Sequence, residues 1–339
     1  MRLFRLILVM IAGGVLLSCG ADRPELFKES RASMDTLVSV TVVSASEAEA
    51  RAAIDQAFST ITSLGRQLDF FSPDSEVTAI NRAAGERPVR VSPPVLDIIA
   101  KALSVSEQSG GAFDITIGPV SALWDFHAER LPDPAALRKA LPLVNYKDVV
   151  LDAAQSTVFL KRKGMKIDLG AIAKGYAADR AVETLRERGI TAGLVAVAGD
   201  IKAFGLKPDG SAWRIGIKNP RPAGASSADE LLATTGLRDR AVSTSGDYER
   251  FFIREGVRYH HLIDPRTGYP VNHCRGASVF SREGALADAF STAVCILGPE
   301  KGMQLLHRTG IEGLIIGGDG AITVSEGLKG TLEFRTHKS

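Results

Sequence analysis

Short runs with strand character outnumber helical ones along this chain, and the two kinds do not alternate one for one. The apolar and β-branched runs at 36–43, 149–151, 157–160, 194–198, 213–217, 259–263, 276–280, 311–316 and 321–324 predict strands. A helix is predicted over 46–68, where Ile54, Phe58, Ile61, Leu64 and Leu68 recur at helical spacing. Ser92 followed by Pro93 opens a second, to about 108, which Gly110-Gly111 closes. A third spans about 171–188 with Gly189 as its cap, and a fourth spans 285–297, stopped by Gly298-Pro299. A strict βαβ order would imply one parallel sheet, whereas this order predicts an α+β fold of mixed sheets with packed helices. With 45% hydrophobic and 24% charged residues, the composition is that of a globular protein and excludes disorder. Without a leader, roughly 310 residues remain, enough to bury a large core and to divide into two lobes. The Pro- and Asp-rich stretch 131–142 is the best candidate boundary.

Residues 1–18 carry Arg2 and Arg5, then the apolar run LILVMIAGGVLL, then Ser18. A basic start, an apolar middle and a small residue make an export leader, and the run is shorter than the roughly 20 residues a spanning helix needs. Leu16-Leu17-Ser18-Cys19 is similar to a bacterial lipobox, in which the Cys is lipidated and becomes the first residue. A plain signal peptide ending beside a Cys is the alternative; the polar Asp22, Arg23 and Glu25 directly after it favour lipidation. The expected layout is a leader at 1–18, lipidated Cys19 and a tether at 19–31, and a folded domain at 32–339. The expected location is the bacterial periplasm, anchored by lipid to the inner or outer membrane. Without Arg2 and Arg5 the 41 Lys and Arg fall to 39, matching the 39 Asp and Glu. No basic surplus is left to grip nucleic acid. Cys274 and Cys295 are too few for a disulfide framework. Cys295, in the apolar run STAVCIL, reads as a buried inert thiol, and Cys274 beside His273 lacks the second ligand pair that zinc needs.

Four segments gather residues suited to chemistry. In GGAFDITIGP, Asp114 is either a turn acid or an acceptor beside backbone that approaches a ligand at Ala112. In DLGAIAKG, small residues lead into a helix start, whose free amides favour an anion; Lys174 there needs an anionic partner, which Asp179 or Glu183 can supply. Asp288 and Thr292 stand one helical turn apart with Ser291 beside them, a hard oxygen set suited to Mg²⁺ once a carbonyl and phosphates complete the shell. An N-terminal acid and a Thr bonding back to its own helix are the structural alternative. In HHLIDPRTGYP, His260 and His261 point to opposite faces of a strand, one of them placed to take a proton, while Asp264, Arg266 and Thr267 either satisfy a turn or present Arg266 to an anion.

Together, GGAFDITIGP, DLGAIAKGYAAD, STSGDYERFF, HHLIDPRTGYP and ADAFSTA resemble the ApbE family, the FAD:protein FMN transferases, over about 33–306. The resemblance implies a T-fold-related α+β fold and an Mg²⁺-dependent reaction. In it the FMN part of FAD passes to a Thr or Ser hydroxyl of an exported flavoprotein, with release of AMP. It places Met34, Phe71, Ala112, Phe113, Asp114, Asp168, Lys174 and Leu262 around FAD. It places Ala171 (through its carbonyl), Asp288, Ser291 and Thr292 around the metal, and makes His261 the active-site His, with Asp168 the other candidate base. The implied acceptors are periplasm-facing subunits of respiratory complexes such as the Na⁺-translocating NADH:quinone reductase or Rnf. Three positions depart from the pattern: Asp35 replaces a Gly, Phe71 replaces a Tyr, and Ala198 opens what is usually Gly-Gly-Asp, here ending in Asp200. Hydrolysis of FAD to FMN and AMP, flavin binding without catalysis, and solute binding by two comparable lobes are the competing functions.

Overall fold

Val38, Val40 and Val42 alternate with more exposed residues, so one face of their strand is wholly buried. The computed structural model describes residues 23–222 and 231–335; the leader and Cys19 lie outside them. Strand β1 (Glu25–Ser33) pairs along its whole length with β2 (Thr36–Ser44). Residues 25–31, assigned to the tether from sequence, are therefore part of the sheet: their register with β2 binds them despite a weak apolar pattern. The hairpin turn places Met34 and Asp35 at φ 51° and 55°. A two-residue turn that follows the strand twist needs this left-handed backbone at both centres, and Asp tolerates it better than most residues.

From this hairpin an eight-stranded antiparallel sheet continues through β3 (Gly193–Val197), β4 (Asp200–Phe204), β5 (Arg240–Gly246), β6 (Cys274–Ser281), β7 (Glu312–Gly317) and β8 (Ile322–Val324), in that spatial order. Four long helices follow: α1 (Glu47–Leu68), α2 (Pro93–Gln108), α3 (Ala173–Glu187) and α4 (Gly284–Thr309). Their apolar faces form one core with Val38, Val195, Val279 and Ile315. On the opposite sheet face, Val242, Phe280, Leu314 and Ile316 pack against Trp213, Ile215, Ile217 and Ala233 of a three-stranded sheet. The adjacent pairs Val279/Phe280 and Leu314/Ile315 thus serve opposite layers, as strand alternation requires.

A smaller cluster joins Trp124, Leu137 and Ala140 to Phe252 and Ile263. It absorbs the supposed boundary at 131–142, where Asp133 accepts from the amides of Ala135 and Ala136 and caps the short helix Pro134–Ala140. Buried Leu137 and Ala140 make that stretch packed structure instead of a linker. Ser92 stands at the N-cap of α2, yet its hydroxyl makes no capping bond. Helix α4 breaks at Gly298 (φ 77°, ψ 177°), where the sequence places a stop, but a further helical segment follows as far as Thr309. Pro299 is compatible with a helix start, which is why a breaker pair reads as an end. No helix among the described residues is long and apolar enough to cross a membrane.

Helices α3 and α4 touch at Gly175 and Gly284. A Cβ on Gly175 would lie 2.1 Å from the Gly284 carbonyl oxygen and 2.8 Å from Asp288 Cβ. Gly175→Ala should therefore cost about 2 kcal/mol or more of stability through overpacking. Gly189→Ala, with open space around it but φ +81°, should cost about 1 kcal/mol. Urea unfolding midpoints of the two variants check the difference.

Candidate functional site

Lys174 stands in the first turn of α3, where the helix dipole opposes its charge, and two buried carboxylates answer it. Its Nζ lies 3.0 Å from Asp200 Oδ2 and 3.7 Å from Asp288 Oδ2. Asp200 opens β4 and Asp288 lies on α4; they are 4% and 3% exposed. The partners expected from sequence lie elsewhere. Asp179 caps α4 through the amides of Gly284 (2.7 Å) and Ala285 (2.9 Å) and pairs with Lys202, and Glu183 pairs with Arg180. Both are neighbours along α3, but Lys174 turns toward the start of β4 and toward α4 instead.

Burial pushes the Asp288 carboxyl above its usual range, helped by the charge of Asp200 and opposed by Lys174 and the Gly175 amide. Burial also works to lower Lys174, but Asp288 and Asp200 outweigh it and hold the ammonium charged. Two buried acids thus share one lysine in a low dielectric, and the one on α4 is held less readily in its charged form. The Gly175 amide donates to Asp288 Oδ2 (3.1 Å) rather than to the Ala171 carbonyl four residues back. The helix start that the sequence offers to an anion thus already holds a carboxylate of the protein.

Strand alternation directs Ser243 and Ser245 of β5 to one face. Ser243 donates to Asp200 Oδ1. Ser245 Oγ lies 2.7 Å from Ser291 Oγ and 3.1 Å from Thr292 Oγ1. Ser291 donates its single hydrogen to the Asp288 carbonyl (2.8 Å), so Ser245 donates to Ser291 and Thr292 donates to Ser245. That order leaves the Thr292 lone pairs open, while Ser291 is buried and committed. The Asp288 carboxylate, the Ala171 carbonyl and the Thr292 hydroxyl are hard oxygens of the kind Mg²⁺ takes.

The strand predicted at 259–263 ends early, at His260. The His260 ring is fully engaged: Nε2 donates to the Val271 carbonyl and Nδ1 accepts from the Leu262 amide. His261, just beyond the strand, donates its amide to the Arg250 carbonyl (3.1 Å), while its buried Nδ1 has no partner among the described residues. Burial, then the charges of Arg250, His260 and Lys174, push its imidazole down to about 3. Asp168 differs, since Oδ1 accepts from the Gly170 amide (2.9 Å) and Oδ2 from Ser121 Oγ (3.1 Å).

Asp114 acts as a turn acid, accepting from the amide and hydroxyl of Thr116 and from the Tyr146 amide. Ala112, Phe113 and Leu262 are buried in the main core. Met34 packs on α1, where a Cβ on Gly65 would lie 3.1 Å from its Cγ. Phe71, beyond the end of α1, is 84% exposed with its ring edge-on to Phe70. Arg266 forms a two-pronged pair with Asp264 within its turn, so that segment satisfies itself. A cavity of about 310 Å³ beside Arg266, His273 and Lys301 contains none of the groups around Lys174.

The ApbE family model matches residues 34–315. The chain belongs to the ApbE family. A Treponema pallidum relative named FAD:protein FMN transferase is 36% identical over 340 residues, covering 95% of this chain and 93% of the relative. A Klebsiella pneumoniae protein of the same name is 39% identical over 238 residues, 69% of this chain and 72% of its own length. The crystal structure of the ApbE protein of Thermotoga maritima superposes with a TM-score of 0.83 at 32% identity, covering 92% of this chain and 100% of that one. The flavin transferase ApbE from Vibrio cholerae gives 0.80 at 27%, covering 90% and 99%. The chain is an enzyme of this family with its mixed α+β fold. Among the ApbE motif residues, Lys174, Asp288, Ser291 and Thr292 converge. Ser245 and Ser243 join them without having been singled out in the sequence, as does Asp200, marked there only as the end of a motif, and Arg250 lies near enough for its charge to act on Lys174 and His261.

Lys174→Met should strand two buried acids and cost about 3 kcal/mol at neutral pH, read by urea unfolding. His261 gives a second outcome. The unfolded imidazole binds its proton near 6.5 and the folded one only near 3. Its contribution to stability is therefore complete above 6.5 and lost as pH falls toward 3. His261→Gln should flatten the slope of unfolding midpoint against pH in that window.

Proposed function

We propose that this chain transfers the FMN moiety of FAD to a Thr or Ser hydroxyl of an exported protein, releasing AMP, with Mg²⁺ as cofactor. The observation that carries the reading is the junction of α3 and α4. Two buried carboxylates share one lysine there, beside an open Thr292 hydroxyl and an Ala171 carbonyl without the Gly175 amide. Such a seat favours a hard divalent cation, held by Asp288, Thr292 and the Ala171 carbonyl, with Ser291 behind them. Bound there, Mg²⁺ would neutralise charge on a pyrophosphate and on the departing phosphate.

The chain's own residues supply the rest. Lys174 and Arg250 attract the pyrophosphate, and the exposed face of Phe71 offers a surface for the flavin ring. The acceptor hydroxyl attacks the phosphorus on the FMN side, the bond to AMP breaks, and AMP leaves with the bridging oxygen. The His261 imidazole takes the hydroxyl proton: it is neutral, whereas both Asp168 oxygens already accept hydrogen bonds. An anionic substrate beside Lys174 and Arg250 offsets two of the charges that depress this imidazole, raising its basicity when the reaction needs it. The acceptors we propose are Thr-bearing, periplasm-facing subunits of respiratory flavoproteins, reached by a protein held to the membrane through lipid on Cys19.

The full chain in detergent, incubated with FAD, Mg²⁺ and an acceptor carrying the Thr, should add one FMN mass to that acceptor and none to its Thr→Ala form. Asp288→Ala or removal of Mg²⁺ should slow the transfer by about 100-fold or more. AMP and free FMN accumulating beside an unmodified acceptor would establish FAD hydrolysis instead, and bound, uncleaved FAD would establish a carrier.

A further inference from the structure

Cys274 opens β6 and Cys295 lies on α4, and their Sγ atoms are 3.3 Å apart. Both are free thiols, 1% and 0% exposed. The sequence presents Cys295 as an inert core thiol and Cys274 as half of an incomplete ligand pair; the fold turns them toward each other across the sheet–helix interface. We propose that Cys274 and Cys295 are a disulfide site, closed when the chain folds in an oxidising environment and tying β6 to α4 behind the hydroxyls of the active site. The inference is independent of the flavin-transfer reading.

The geometry supports closure. A disulfide needs its sulfurs about 2.05 Å apart, so they must approach by little more than about 1 Å. Cys274 sits where β6 shifts register against β7, between Cys274 and Gly276, and this bulge gives the strand end room to adjust. The remaining sulfur contacts are weak ones, from Cys274 to the Gly276 carbonyl (3.5 Å) and from Cys295 to the Ser245 carbonyl (3.6 Å). The ring of His273, beside Cys274, is engaged by the Ile296 carbonyl (3.0 Å).

The chemistry fixes when the bond forms. The hydrogen bond with Cys274, together with burial, raises the Cys295 thiol well above its ordinary value, and once the chain is folded both sulfurs are buried away from any donor disulfide. Closure therefore belongs to folding, before burial. One thiolate attacks a donor disulfide, such as oxidised glutathione or a protein disulfide, and expels one donor thiol. The second thiolate attacks the resulting mixed disulfide, forms the Cys274–Cys295 bond and expels the other donor thiol. Two S–H bonds are lost, one S–S bond is gained, and the donor is reduced to two thiols. Once buried, the bond is out of reach of small reductants.

The full chain, unfolded and reduced, is refolded in a glutathione redox buffer and in parallel in dithiothreitol. Free thiols are then alkylated in denaturant, and tryptic peptides are mapped without reduction. Peptide 267–275 should be linked to peptide 283–301 in the glutathione sample alone. That sample should melt about 5 °C or more above its reduced counterpart, since the bond joins positions 21 apart. A Cys274→Ala, Cys295→Ala variant should melt alike from both buffers. Alkylation of both cysteines in the glutathione sample, or linkage of either to Cys19 instead, would overturn the proposal. Should the variant not fold, the peptide map of the unaltered chain decides alone.

Discussion

Lys174 and the two carboxylates that flank it set the character of the whole site. A lysine in the first turn of a helix is poorly placed for the dipole, and a carboxylate with 4% exposure is costly to charge. Each compensates the other, but two acids share the one ammonium, and burial beside Asp200 makes Asp288 harder to ionise. The Gly175 amide and the Ser243 hydroxyl bind the carboxylates without neutralising them. Such an arrangement is costly for a core that only has to fold, and in the reaction we propose a cation bound there would offset that cost.

The rest of the fold delivers these groups from separate parts of the chain. Asp200 begins an interior strand of the main sheet, Ser243 and Ser245 lie on the strand beside it, and Asp288 lies on the helix packed over both. The Gly175–Gly284 contact lets α3 and α4 approach closely enough for the Gly175 amide to reach Asp288. Asp179 fixes the same junction a turn further along by capping α4. On the other side, the aromatic cluster of Trp124, Phe126, Phe252 and Tyr259 supports the hairpin that ends at His260 and so places His261. The His260 ring is held by Val271 and Leu262, while the buried Nδ1 of the neighbouring His261 has no partner among the described residues.

Much of this was legible before any coordinates. Helices α1, α2 and α3 fall within a few residues of their sequence boundaries, because their apolar spacing and flanking Ser, Pro and Gly act locally. Strand β1 was hidden because its apolar pattern is weak and pairing with β2 defines it. Asp288, Ser291 and Thr292 could be grouped since one helix carries them. Asp200 and Ser245 could not be joined to them without the sheet order, which no local pattern encodes. The partner of Lys174 is hidden for the same reason: Asp179 is near in sequence, but the sheet brings Asp200 nearer in space. The facing of Cys274 and Cys295 likewise arises only when α4 packs on β6.

If the α3–α4 junction is the cation seat we propose, crystals of the chain grown with FAD and Mn²⁺ in place of Mg²⁺ will show it in the anomalous difference map. A single strong Mn²⁺ peak is expected, bonded to the Asp288 carboxylate and Thr292 Oγ1, with the FAD pyrophosphate against it and beside Lys174. A peak away from Asp288, or ordered FAD with no peak at that junction, would contradict it.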